Sequence, residues 1–436
     1  MMAGRPEARH SLGPGTRDRG HREETGLRCL DLQGRRRAVT CPPRAFRTLA
    51  YGLALLAGIA LPVQAEESTA PGFPRITAEA DLGLYTVADP GASERARRGS
   101  TTFLFGHLAA GLHLTSTFSL NLFFHPDPAG DLRPNGGDHF LRRQGAFFEQ
   151  LFAEWRPWEE LRLFGGKFNA PFGFGHEAFP GVLVAFRAHE VYLVREQLGA
   201  GATWTLPVDP AWGEHRLTAT LSTLDTSALS YTFFTHKRCC AEGYERYSRN
   251  ALREGGAGNT GHLDNVVVAL EGHDIAWVPG FSYHLSLLSR GPGKDGTRRE
   301  WGWSVGAQYE LRWTAALGTL LFGEYVEFRN ADGAPLEAPG SDASPAPLRE
   351  TRRFSTLGAQ TTYGPWRATL AWQRDERKRS FNTLPTEQYL EVSVGRELFW
   401  GFGIDIGYQY ARYARDDGGI GHSNAFVSRL GFHRHF

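Results

Sequence analysis

No apolar run in this chain reaches the roughly 18 to 20 residues that a membrane-spanning helix requires. The mean hydropathy is −0.36 and the hydrophobic fraction only 41%, which excludes a helical membrane protein. A dominant charge of one sign is missing too. The 48 basic and 47 acidic groups of the whole chain nearly cancel. Residues 1–65 hold eleven Arg and five acidic residues, so the remainder carries a net charge of about −5. That argues against nucleic-acid binding and against a strongly cationic pore. Cysteine is scarce: Cys29 and Cys41 lie in the prefix, leaving only the adjacent Cys239 and Cys240. Such a pair in an exported chain fits an oxidised pair on a mobile loop, an intermolecular bond or a soft-metal site.

The longest apolar stretch is Leu49–Val63, preceded by Arg44 and Arg47 and followed by Val63-Gln64-Ala65. Small residues at −3 and −1 of a cut after Ala65 predict a secretory signal peptide over residues 44–65. No cysteine follows that cut, which excludes a lipoprotein. Residues 1–43 are Arg-rich without periodicity and read as a disordered extension or a mis-assigned start. Arg36-Arg37 resembles a twin-arginine signal, but the apolar run begins too far downstream. Residues 66–75 read as a short periplasmic lead-in.

What the chain has is aromatics (12%), glycine (52 residues) and strict alternation. From Asn424 onward, Phe426, Leu430, Phe432 and Phe436 share one strand face, while Val427, Arg429, Gly431, His433 and His435 take the other. Arg434 stands where an outward apolar residue is expected, close enough to the strand end for its guanidinium to snorkel to headgroups. In lipid every backbone polar group needs a partner, so alternating strands must close into a cylinder, oily outside and wet inside.

Segments of about ten residues recur from Ile76, joined alternately by tight and by long polar connections. Tight joints fall at Thr115-Ser116, Arg156-Pro157, Pro207–Gly213, Pro279-Gly280, Trp313–Ala316, Gly364-Pro365 and Phe399–Gly401. The fold class is therefore all-β: a transmembrane antiparallel β-barrel over 76–436, of about 16 strands (give or take two), with long extracellular loops and short periplasmic turns. Registers such as that of Leu320–Phe328 read either way. Sixteen strands enclose an aqueous lumen rather than a filled core. Alternation points Glu79, Asp81, Gln308, Glu310, Arg312, Arg367, Gln373, Glu391, Asp405, Gln409, Arg429 and His433 inward.

The stretch AEWRP…LRLFGGKFNAPFG, from Ala153 to Gly173, followed by REQLGAG from Arg195 to Gly201, resembles the phosphate-selective porin O/P family of sixteen-stranded porins. The resemblance covers about 60 residues, the general architecture and the final Phe436. It implies that the long third outer connection, Pro171–Arg195, folds inward and narrows the lumen. Pro171 ends the ladder, and Gly173, Gly175 and Gly181 permit the bend. The constriction would then be built by Lys167, His176, Glu177, Arg187, His189, Glu190, Arg195 and Glu196, whose mixed charges would order water and select polar solutes. The resemblance further implies a homotrimer in the outer membrane of a Gram-negative bacterium, in contact with lipid and lipopolysaccharide. It also implies recognition of Phe436 by the barrel-assembly machinery. The family's dense run of channel arginines and lysines has no equivalent here, so phosphate selectivity does not carry over.

The function expected is passive diffusion of ions and small polar solutes, with no catalysis, no cofactor and no metal. A substrate-specific uptake channel for a metal, siderophore or anion is the alternative. His107, His113, His125 and His139 cluster in sequence, but His107 and His113 are about 20 Å apart along one strand face, too far to share an ion. A hydrolase on the barrel wall would use groups such as Ser286 and His284, yet no triad spacing stands out.

Overall fold

The computed structural model describes residues 72–128, 134–142, 144–174, 179–233, 250–333, 349–380, 383–415 and 417–436, with the backbone alone for His189 and Glu190. The signal-peptide region, His176, Glu177, Cys239 and Cys240 lie outside these residues.

Sixteen strands close the barrel. In chain order the first half comprises β1 (Arg75–Asp89), β2 (Gly99–His113), β3 (Phe118–Pro128), β5 (Gln144–Trp158), β6 (Leu161–Ala170), β7 (Val194–Thr205), β8 (Glu214–Leu224) and β9 (Asn265–His273). The second half comprises β10 (Phe281–Arg290), β11 (Glu300–Arg312), β12 (Leu317–Arg329), β13 (Glu350–Tyr363), β14 (Trp366–Arg379), β15 (Glu387–Glu397), β16 (Phe402–Ala414) and β17 (Ile420–His435). A three-residue strand, β4 (Asp138–Phe140), pairs parallel with the start of β2. Each barrel strand pairs antiparallel with its neighbours, and β17 returns to β1 through a ladder running from Glu79↔His435 to Ala88↔Phe426. No barrel edge is left unpaired, which removes the exposed edge that lipid forbids.

The outer face follows the alternation. Leu221, Leu287, Leu357, Leu370, Val392 and Ile406 are all more than half exposed on it, an apolar belt of the kind a lipid-facing wall presents. Eight of the eleven tryptophans (Trp155, Trp158, Trp204, Trp212, Trp277, Trp313, Trp366 and Trp400) are exposed at or beside the short turns. That ring is an interfacial girdle, where an amphipathic indole spans the apolar-to-wet boundary. Arg434, the exception on this face, stacks over the Phe436 ring at 5.5 Å.

The turn expected at Arg156-Pro157 lies further along. β5 continues to Trp158, with an irregularity between Trp155 and Trp158, so the chain reverses at Glu159-Glu160. Pro157 lacks only an N–H, and the bulge absorbs that loss without ending the strand.

Gly106 in β2 has φ +139°, and a Cβ there would meet the Asp81 carbonyl oxygen at 2.1 Å. The clash is with backbone, so no side chain can relieve it. Gly106→Val is expected to disrupt the β1–β2 ladder and abolish the fast-migrating folded band on unboiled gels. A variant migrating as the parent does would sink this reading.

Candidate functional site: the loop across the lumen

Between β6 and β7 the chain leaves the wall at Pro171 and crosses the barrel interior. Gly173 and Gly181 take φ +80° and +115°, a region closed to most side chains. The described part of the crossing carries the helix α1 (Leu183–Tyr192) and reaches strands far around the barrel. Phe172 packs on Phe328 of β12, and Phe174 stacks on His284 of β10 and Phe322 of β12. Phe186 meets Phe103 and Phe105 of β2.

Two wall carboxylates hold this crossing. Glu324 of β12 accepts the Phe174 N–H at 2.5 Å and the Tyr192 hydroxyl at 2.6 Å. Glu391 of β15, fully buried, accepts the N–H groups of Val182, Leu183 and Val184 at 2.5, 2.7 and 2.8 Å. The sequence offers α1 no Ser, Thr, Asp or Asn cap, and Val182 supplies none. Glu391 therefore caps it from the wall, placing negative charge where the first-turn N–H groups point.

The interior is thus not uniformly wet. Phe172, Val184, Ala188 and Tyr192 form a buried cluster with Leu288, Phe322, Val326, Phe328, Phe354 and Ala371, so the expectation of a lumen without a filled core is corrected where the crossing packs. This resolves the ambiguous register of β12, whose Phe322, Glu324, Val326 and Phe328 face inward to receive the loop.

Of the expected constriction residues, Arg187 of α1 reaches the β14–β15 wall. Its guanidinium binds Asp375 at 3.2 Å and Glu387 at 2.9 Å and lies 3.8 Å over the Tyr389 ring. Arg195 pairs with Asp127 at 3.5 Å. His189 and Glu190 lie on α1, but their side chains are outside the described residues, as are His176 and Glu177 altogether.

Lys167 is elsewhere. Cross-strand partners share a face, and those of Lys167, Leu151 and Leu198, belong to the outward row that includes Trp155, Trp204 and Leu221. Its ammonium has no exposure; it binds Glu196 at 2.5 Å, Asp225 at 3.1 Å and the Leu229 carbonyl at 2.9 Å. Glu196 has a positive φ of +54°, and both it and Lys167 belong to this buried cluster rather than to a constriction. The segment after β8 covers them from outside, as the packing of Phe233 on Phe124 and Phe148 shows. The Gly-Gly-Lys-Phe motif suggested a channel residue because alternation alone does not reveal a loop folded back over the outer wall.

The inward-facing residues largely pair among themselves. Arg367 holds Asp405 through two contacts of 2.7 Å, Arg429 reaches Asp81 at 3.4 Å, and Arg352 binds Asp375 at 2.7 Å. Glu310 and Arg312 are 3.7 Å apart and exposed near the short-turn rim. Glu79 lies beside His107, His433 and His435. Two of the cavities beside the crossing lie on opposite sides of it. One of about 320 Å³ on the long-loop side is lined by Asp89, Arg97, Phe103, Arg187 and Tyr389. The other, about 300 Å³ on the short-turn side, is lined by Gln360, Arg367, Glu397, Asp405 and Arg429. Ser286 and His284 face this interior, bonded to Ser304 and Glu271 respectively, and not the lipid boundary.

No known protein family and no curated protein matches the chain. The resemblance to phosphate-selective porins therefore rests on the motifs quoted above. Among solved structures, the outer membrane channel DcaP of Acinetobacter baumannii is similar with a TM-score of 0.47 and 10% identity, over 83% of this chain and 96% of that one. OprB of Pseudomonas putida gives 0.48 and 13%, over 83% and 94%. The trimer form of OmpT, an outer membrane protein of Vibrio cholerae, gives 0.43 and 7%, over 83% and 98%.

Proposed function

We propose that this chain is a passive channel of the Gram-negative outer membrane, conducting ions and small polar solutes through a barrel narrowed by its third long connection. The observation that carries this reading is the crossing at Pro171–Leu193, anchored by Glu324 and Glu391, with charged cavities on both sides of it. The apolar belt and tryptophan girdle support a bilayer location, with the short turns on the periplasmic side. Export through a signal peptide at 44–65 and assembly as a homotrimer belong to the same proposal.

Arginines of the interior are matched by carboxylates: Arg187 by Asp375 and Glu387, Arg367 by Asp405, Arg429 by Asp81. Matched charges leave a transverse field and little net selectivity. Purified protein in a planar bilayer is expected to give stepwise, ohmic currents, with a small reversal potential of cation-preferring sign in a salt gradient. Arg187→Glu is expected to increase that preference, because it puts a carboxylate at the cavity wall and takes from Glu387 its guanidinium partner, while Asp375 keeps Arg352. A protein that inserts without conducting would refute the channel. A current that saturates and is blocked by one solute would replace the general pore with a substrate-specific one.

A further inference from the structure

We propose that the inner wall at the short-turn mouth carries a site for a divalent transition metal, with Glu79, His433 and His435 as ligands, tying β17 to β1. The site follows from register. His433 and His435 are two residues apart, so both project to the interior while Phe432 and Arg434 project outward. Glu79 is the direct cross-strand partner of His435, and Asp81 that of His433. On the other side of β1, Asp81 is partnered by His107 of β2. Three neighbouring strands thus converge two carboxylates and three imidazoles on one patch of inner wall.

The distances suit coordination better than hydrogen bonding. His433 Nδ1 is 3.7 Å from Glu79 Oε1, His435 Nδ1 is 3.6 Å from Glu79 Oε2, and His433 Nδ1 is 3.6 Å from Asp81 Oδ2. His107 Nε2 lies 3.9 Å from Glu79 Oε1. All exceed the hydrogen-bond range, so these donors surround a gap rather than closing on one another. A tetrahedral ion with bonds of about 2.0–2.1 Å holds its ligand atoms roughly 3.4 Å apart. One donor atom each from Glu79, His433 and His435 already lie within 4.8 Å of one another. Their rings are exposed and nearly perpendicular, with centroids 4.9 Å apart, so small rotations bring the nitrogens to the required spacing.

The backbone beneath is fixed. Phe436 N–H donates to the Ala78 carbonyl at 2.8 Å and Ala78 N–H returns to Phe436 at 3.3 Å, so His435 is presented from a paired strand. Arg429 is directed to Asp81 at 3.4 Å, and the ion pairs of Glu79 are with imidazoles. Two imidazoles with one carboxylate favour zinc, nickel or copper over calcium or magnesium. The remaining coordination position faces the lumen. An ion held there bridges strands that no turn connects, across the seam where the barrel closes.

The test is a calorimetric titration of the full barrel in detergent with zinc chloride, comparing the parent with His433→Ala, His435→Ala and Glu79→Gln. One site per chain is expected in the parent. Either histidine change should weaken it by more than the roughly 10–100-fold that loss of an outer-shell partner costs. Isotherms indistinguishable from the parent's would overturn the site. Should a variant fail to fold, zinc-soaked crystals of the parent decide. An anomalous peak between Glu79, His433 and His435 supports the assignment, and a featureless map there refutes it.

Discussion

Glu391→Ala is expected to free the third connection and raise single-channel conductance severalfold. The carboxylate is buried and accepts three N–H groups at the start of α1. Hydrogen bonds to a charged acceptor are the strong kind, and the alanine leaves three donors orphaned against an apolar cluster. The expected loss is on the order of 3–5 kcal/mol of loop anchoring. Contacts such as Phe172 on Phe328 and Tyr192 on Glu324 remain, so the crossing should loosen at the start of α1 while its ends next to β6 and β7 stay seated. The barrel ladders do not involve Glu391's side chain, so gel migration of the folded form should persist. Noisier, larger current steps with an intact folded band are the expected result; parent-like conductance would show that Glu391 does not hold the constriction.

Lys167→Met is expected to act on stability and not on conductance. Its ammonium is enclosed with Glu196 and Asp225 on the outward side of the wall. Methionine fills similar volume but leaves two carboxylates close together without the ammonium between them. Breaking a buried ion cluster from one side costs about 3–5 kcal/mol. The temperature at which the folded band converts to the unfolded one should fall by several degrees, with the single-channel step unchanged. A changed step at constant stability would return Lys167 to the lumen.

These two residues also mark how far sequence reasoning reaches. Both stand on alternating strands, and alternation points Glu391 inward between Leu390 and Val392, which are exposed on the outer face. Nothing in the local sequence tells that Glu391 caps a helix lying some 200 residues earlier in the chain. Lys167 followed the same rule but was assigned by motif, since the segment covering it comes from another loop. The interior row of β12 reads either way from sequence for the converse reason. Phe322, Val326 and Phe328 are apolar and face inward, because the crossing chain makes part of the lumen a dry core.

The sequence alone determined the barrel: strand periodicity, turn chemistry and the lack of any spanning helix leave closure as the one way to satisfy backbone polar groups in lipid. The count of sixteen strands was readable from the same rhythm, whereas the inward course of the third connection came from the family resemblance, with which Pro171 and its following glycines agree. Only the tertiary structure decided which charges meet. Closing the cylinder brings Glu391 to α1, Arg187 to Asp375, and His433 and His435 to Glu79. Such pairings depend on strand register summed around the whole circumference, a quantity that no local stretch of residues encodes.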